Sequence, residues 1–334
     1  MTIKHLVIGG GGPAGLIMYG SLKTLHKKGV WDFKNIESIF STSIGCWLAI
    51  VVLARLDWDW IDDFFIKRPW EKLINVSAKD YLNIFNNKGH LDRNLLLKCV
   101  LPLLNAGDFA ENITMKELYD KTSVDLHIFT ANINSPYVIE EIDISYKTHP
   151  DLCLIDAMLR SCCIPGIFKP IFEDNKCFID GGILNNYPVN SCLKYYPDNK
   201  KEILAFKFNR GVFERKITNE TPTIEYLLYM FNAIVTKLLI VTSNLQEEIP
   251  YKIECVCDKS IGSFTYWLEA FSNQSERQYL IETGNETGEK FFAEYYMDFY
   301  IEDTPIEDTQ IEDTEIDDNK DDIKENKDEF SNID

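Results

Sequence analysis

Within its first 55 residues the chain twice runs from a short apolar segment, through a turn of small residues, into a helix-forming apolar run. The first unit is the strand Ile3 to Ile8 and the loop Gly9-Gly10-Gly11-Gly12-Pro13-Ala14-Gly15. A helical face of Leu16, Tyr19, Leu22 and Leu25 follows, ending near Lys28-Gly29. The second is the strand Ile36 to Phe40, the turn Ser41-Thr42-Ser43-Ile44-Gly45, and the run Cys46 to Ile50. Two βα units in succession require a crossover between parallel strands, so they predict a mostly parallel sheet covered by helices on both faces.

The second turn has the form S-x-S-x-G. A serine on a tight strand-to-helix turn projects its hydroxyl clear of the backbone, and small residues two positions away prevent a clash. The helix that follows leaves free N–H groups where negative charge develops during acyl transfer. Alone, this pattern is an ordinary small-residue turn.

Further along, residues 57–120 change character. Trp58, Trp60, Phe64, Phe65 and Trp70 crowd a segment that reads as a mostly helical insertion over the sheet, with the aromatics as core. Leu95 to Leu104 is an apolar helix within it, and Met115 to Tyr119 reads as the close of a helix. Strands are expected at Asp125 to Ala131, Ile139 to Ser145, Cys177 to Ile179 and Ile203 to Phe206, with a helix at Leu154 to Leu159. Residues 162–170 contain two prolines and must be irregular. Tyr226 to Val241, interrupted by Asn232 and Lys237, is a buried or amphipathic helix and not a membrane crossing.

The net charge of -19 is concentrated at one end. Residues 301–334 hold 15 Asp/Glu and 3 Lys, which is -12, and leave -7 for residues 1–300. The tail repeats Ile-Glu-Asp-Thr from 301, 306 and 311; such isolated isoleucines cannot build a core, so disorder is expected there. Residues 1–300 then form one folded domain with no basic stripe, which argues against nucleic-acid binding. The nine cysteines are scattered without a metal-clip spacing, so no metal is expected. Cys255-x-Cys257 would share one face of a strand. Met1 leads straight into a strand, unlike a secretory leader, so the expected setting is reducing and cytoplasmic, with membranes met peripherally.

Gly10-x-Gly12-x-x-Gly15 also fits a dinucleotide fingerprint, as in a flavin oxidoreductase. That reading needs an acid at the end of the second strand, and the nearby Glu37 lies at its beginning. The loop is therefore free to partner the serine turn, and no cofactor is expected.

A nucleophilic serine needs a proton acceptor. The histidines stand at 5, 26, 90, 127 and 149, and none lies late in the chain; His127 and His149 read as strand and loop residues. Asp180, at the end of a short strand and before Gly181-Gly182, is the late carboxylate able to reach a shared site, with Asn185, Asn186 and Pro188 shaping the loop beyond it.

Glycine loop, serine turn and D-G-G together resemble the patatin-like phospholipase family. Gly10 to Leu16 resembles its G-G-G-x-[RK]-G-x loop, and Ser41 to Gly45 its G-T-S-x-G. Ala157 to Pro170 is similar to its A-S-x-x-x-P-x-x-F-x-P block, and Asp180 to Pro188 to its D-G-G-x-x-x-N-x-P. All blocks stand in order within residues 3–210. The resemblance implies a three-layer α/β/α sandwich and a Ser-Asp dyad, with Ser43 as nucleophile and Asp180 as general base. It implies oxyanion donors from the backbone of Gly10, Gly11 and Gly12 with Ile44, and hydrolysis of phospholipid or other acyl-lipid esters of the phospholipase A type through an acyl-enzyme. Two positions depart from the pattern. Ala14 stands where the family carries Arg or Lys, and Ser41 where it carries glycine. The first leaves open a lipid-binding or scaffold protein that keeps the fold without turnover.

Overall fold

The computed structural model describes residues 2–74, 88–89, 91–136, 138–210, 217–221, 223–243, 246–259 and 264–300. His90 and the acidic repeats after residue 300 lie outside them.

A sheet of eight strands organises these residues, bonded in the order β5-β6-β3-β2-β1-β7-β8 with β4 also on β3. The strands are β1 (His5–Ile8), β2 (Ser38–Thr42), β3 (Asp125–Asn132), β4 (Glu140–Ile144), β5 (Ile171–Glu173), β6 (Lys176–Asp180), β7 (Ile203–Arg210) and β8 (Tyr251–Cys257). The pairs joining β3, β2, β1, β7 and β8 are parallel, while β4, β5 and β6 join antiparallel. β1, β2 and β3 are buried throughout, as parallel strands covered on both faces must be.

Side chains alternate across the sheet. Leu6, Ile8, Ile39, Ile128, Leu204 and Phe206 face a large core shared with α1 (Gly15–Lys27), α2 (Ile44–Ala54), α5 (Arg93–Ala106) and α7 (Leu154–Cys162). Val7, Phe40, Phe129 and Ala205 face the other way, onto Val189, Cys192 and Leu193 of α8 (Val189–Tyr195). The expected α/β sandwich, with helices on both faces, is the observed architecture.

The insertion is helical, comprising α3 (Trp58–Ile66), α4 (Trp70–Leu73), α5 and α6 (Met115–Thr122) among the described residues. Trp58, Phe64, Phe65 and Trp70 are buried, whereas Trp60 is exposed. Met115 opens a helix and does not close one. Thr114 caps it, its hydroxyl accepting from Glu117 N–H while the Glu117 carboxylate takes Thr114 N–H, and this reciprocal cap fixes the start.

The segment Tyr226–Val241 lies in α9 (Thr223–Ser243), a helix that is not long and apolar enough to cross a membrane; of the two forms the sequence left open, buried or amphipathic, it is not the buried one, since many of its described side chains are exposed. After α10 (Phe264–Ser272) comes α11 (Gln274–Tyr300), which the sequence pattern did not reveal and which packs closely along α1. Glycine permits that contact: a Cβ on Gly20 would lie 2.2 Å from the Ile281 carbonyl oxygen, and one on Gly284 would lie 2.1 Å from that of Ile17.

Strand register positions the candidate site. Asp125 N–H bonds to Glu37 O and Ile133 N–H bonds to Cys177 O. Alternate residues of a strand present their amides to the same side, so β2 and β6 approach the same side of β3 from opposite ends. β2 reaches Thr42 opposite Phe129, and β6 ends at Asp180 opposite Thr130. The residue after Thr42 is Ser43.

Candidate active site

Ser43 links β2 to α2 with φ 55° and ψ -122°, a left-handed conformation costly for a residue with a side chain. Neighbouring contacts hold it there. Its N–H donates to Ser161 Oγ across 2.8 Å, and Ser161 Oγ donates to Phe129 O across 2.6 Å. Thr42 Oγ1 donates to Asn185 O at 2.9 Å, and Cys46 N–H donates to Ser43 O at 2.9 Å. Gly45 lets α2 start against β1, since a Cβ there would lie 2.2 Å from Ile8 O. Ser41, in the position of a family glycine, fits because its hydroxyl donates to His127 O at 3.1 Å.

Asp180 is 6% exposed. Its N–H donates to Cys163 O at 3.0 Å, and its Oδ1 accepts the Gly182 N–H at 2.7 Å, which fixes the carboxylate plane. Oδ2 has no hydrogen-bond partner among the described residues. Burial pushes the carboxyl up to about 6, against the pull of the Ser43 hydroxyl and the Gly182 N–H, which favour the ionised form. Ser43 and Asp180 are therefore within electrostatic reach, although Oδ2 lacks an aligned bond, a looseness common in unliganded sites.

The glycine loop closes on the same turn. A Cβ on Gly10 would lie 3.2 Å from Ser43 Cβ and 2.4 Å from Asn186 Oδ1. Gly10 N–H donates to Asn186 O at 3.0 Å, and Asn186 Nδ2 donates back to Gly10 O at 3.1 Å. This engages the Gly10 amide, which the resemblance had offered as an oxyanion donor. The Gly11 and Gly12 amides carry no backbone partner among the described residues, and the Ile44 amide stands in the first turn of α2. Gly12 has φ 54°, and a Cβ there would meet Trp267 at 2.5 Å, so glycine is required twice over. Ala14 is fully buried in the core.

The described histidines are engaged elsewhere. His5 bonds Ser38 Oγ at 2.9 Å and stacks on Tyr196, while His26 Nδ1 accepts from Trp58 Nε1 at 3.0 Å. His149 Nδ1 faces Thr148 Oγ1 at 2.9 Å. His127 stacks on Phe40, with Nδ1 2.9 Å from Asp143 and Nε2 3.3 Å from Asp125 Oδ1, the latter an ion-pair distance without hydrogen-bond alignment. Glu37, the acid weighed for a dinucleotide, precedes β2 at the end away from the glycine loop and lies 3.8 Å from Lys4.

The structure places Ser43, Asp180 and the glycine loop beside one another. Sequence reasoning did not single out Ser161 or assign Asn186 its link to Gly10, although both stand in the quoted motif blocks. Their function is to tie one block to another, and spacing along the chain carries no sign of that.

The chain thus sets a serine on a strand-to-helix elbow beside a buried carboxylate and a glycine loop in an α/β sandwich. The family model of patatin-like phospholipases matches residues 6–193, and the chain belongs to this family. The protein named probable lipid hydrolase 463L of Invertebrate iridescent virus 6 is 29% identical over 200 residues, 59% of this chain and 65% of that protein. Triacylglycerol lipase 5 of Saccharomyces cerevisiae is 29% identical over 175 residues, 42% of this chain and 23% of that protein. The chain thus spans less than two thirds of the length of either relative. Among solved structures, VipD from Legionella pneumophila has a similar fold, with TM-score 0.50 at 15% identity, covering 88% of this chain and 67% of that one.

Proposed function

We propose that this chain is a lipid acyl hydrolase of the phospholipase A type, working through Ser43 and Asp180 without histidine. The observation that carries this reading is Asp180 itself. One of its oxygens is fixed by Gly182 N–H, the other lacks a partner, and its pKa near 6 responds to the Ser43 hydroxyl. A carboxylate so poised is ionised at neutral pH, yet basic enough to take a proton from an attacking hydroxyl.

In the proposed reaction Ser43 Oγ attacks the acyl carbonyl as Asp180 accepts its proton. The carbonyl oxygen becomes an oxyanion beside the N–H groups of Gly11, Gly12 and Ile44. Collapse breaks the ester bond, and the leaving alkoxide takes the proton from Asp180. Water, deprotonated by Asp180, then attacks the acyl-Ser43; the intermediate collapses, Asp180 returns its proton to Ser43 Oγ, and the fatty acid is released. Gly10 anchors the loop through Asn186 and donates nothing to the oxyanion.

Fatty-acid release from phosphatidylcholine vesicles tests this, beside Ser43→Ala and Asp180→Asn. Activity in the wild type and its loss in both variants is expected; equal rates in all three would refute it. A second reading rests on buried Ala14, which leaves the loop without the family's cation: a lipid-binding scaffold without turnover. Covalent labelling of Ser43 by a fluorophosphonate argues against that reading, and an unlabelled, folded wild type supports it.

A further inference from the structure

Helix α9 presents an apolar face to solvent. At 100° per residue, Tyr226, Leu227, Met230, Ile234, Leu238 and Val241 fall on one half of its circumference. Tyr229 and Ile240 extend the far margin. All are exposed, reaching 62% at Ile234 and 51% at Val241. Val235 points the opposite way and packs on Ala131, Ile179 and Ile183. Ile179 immediately precedes Asp180, and Ile183 lies in the turn that follows it. The helix is thus seated by its inner side on the strand and turn that carry Asp180, with its outer side exposed. Contiguous apolar surface of this kind marks an interaction site.

Charge and geometry select the occupant. No helix among the described residues is long and apolar enough to cross a membrane, so α9 can lie on a lipid surface but not span it. Lys237 stands near the middle of the exposed half and is itself exposed. Packed against a second copy of the chain, that ammonium would be buried against apolar side chains. At a lipid surface its stem lies along the apolar layer and its head reaches water. Tyr226 and Tyr229 suit the same boundary, with apolar rings and polar tips. Lys237 has no basic companions on the exposed half, and the whole chain carries a charge of -19, so an anionic surface would repel it.

We propose that α9 docks flat on an uncharged lipid surface, zwitterionic or neutral, beside the strand and turn that carry Asp180. The proposal rests on the hydrolase reading for its purpose but not for its binding. The 334-residue protein is floated with phosphatidylcholine vesicles, beside the double variant Ile234→Glu/Val241→Glu, at positions 62% and 51% exposed. Wild type floats, and continues to do so at about 1 M salt, where screening removes charge attraction. The double variant keeps its melting midpoint and loses at least about tenfold in vesicle partitioning. Equal flotation of both proteins overturns the proposal, as does preference for phosphatidylserine vesicles. So does a wild-type dimer that fails to float and that the substitutions make monomeric, which would assign the face to a second copy. Wild type that floats through α9 but cleaves neither phospholipid nor a soluble short-chain ester sinks the hydrolase reading and spares the docking face. Wild type that cleaves the soluble ester but does not float does the reverse.

Discussion

The backbone N–H of Ser43 ends on the hydroxyl of Ser161, 2.8 Å away, and that hydroxyl passes its own proton to Phe129 O. One side chain thereby satisfies two buried backbone groups at the place where β2 leaves β3. It also holds Ser43 in a conformation that costs about 1–3 kcal/mol for a non-glycine residue.

Ser161→Ala removes both bonds. It is expected to destabilise the fold by about 1–3 kcal/mol and to lower kcat far more than it changes KM, with slower fluorophosphonate labelling of Ser43. Ser161→Thr, which retains the hydroxyl, should recover much of the labelling rate. Labelling that is equally fast in Ser161→Ala would show that the turn holds itself.

The pH profile of hydrolysis should report Asp180. With its carboxyl raised to about 6, kcat/KM should rise through that pH and fall about tenfold per unit below it. A plateau extending down to pH 4 would mean that another group, or none, takes the proton.

The same carboxylate weighs against stability. Its folded pKa exceeds its ordinary value, so its stabilising contribution is complete below 3.8 and is lost as pH rises through about 6. Above that range the buried, ionised carboxylate weighs against the fold. Asp180→Asn should therefore melt higher than wild type at pH 8, and not at pH 4, while losing turnover. A lower melting temperature at pH 8 would show that the ionised carboxylate is the better-satisfied form.

His127 should act on stability alone. Burial lowers its pKa, but the carboxylates of Asp125 and Asp143 outweigh burial and hold it up at about 8. A raised histidine stabilises fully below 6.5 and loses that contribution as pH climbs through 8. Urea unfolding should show a decline across this interval that His127→Gln abolishes, with ester hydrolysis retained. Loss of acyl-enzyme formation in a folded His127→Gln protein would bring histidine back into the mechanism.

Fold and site were legible where one physical rule dominated. β1, β2 and β3 read as strands because each carries a short apolar centre, Leu6 to Ile8, Ile39-Phe40 and Ile128-Phe129, as parallel strands covered on both faces do. Ser43 and Asp180 stood out because a tight turn admits only small neighbours. Helix α11 was hidden, since its run Glu282-Thr283-Gly284-Asn285-Glu286-Thr287-Gly288 reads as polar and broken. Those glycines serve contact with α1, a demand that originates more than 250 residues away in the chain. For α9 the sequence left a buried and an amphipathic helix both open, because apolar composition signals that a surface needs cover and says nothing of whether protein supplies it. Ser161, and the link of Asn186 to Gly10, escaped notice because each bonds to backbone, which has no letter in the sequence.

The proposed pair of residues sits at a seam. β2 climbs one side of β3 and stops opposite Phe129; β6 descends the same side and stops opposite Thr130. Ser43 and Asp180 are the two loose ends, and strand register works as the ruler between them. Loops may lengthen elsewhere, as the helical insertion does, without changing that measurement. One extra residue inside Lys176–Asp180 would turn the carboxylate through to the opposite face of the sheet, away from Ser43. The chemistry proposed here is therefore intolerant of a slip of one residue in a five-residue strand.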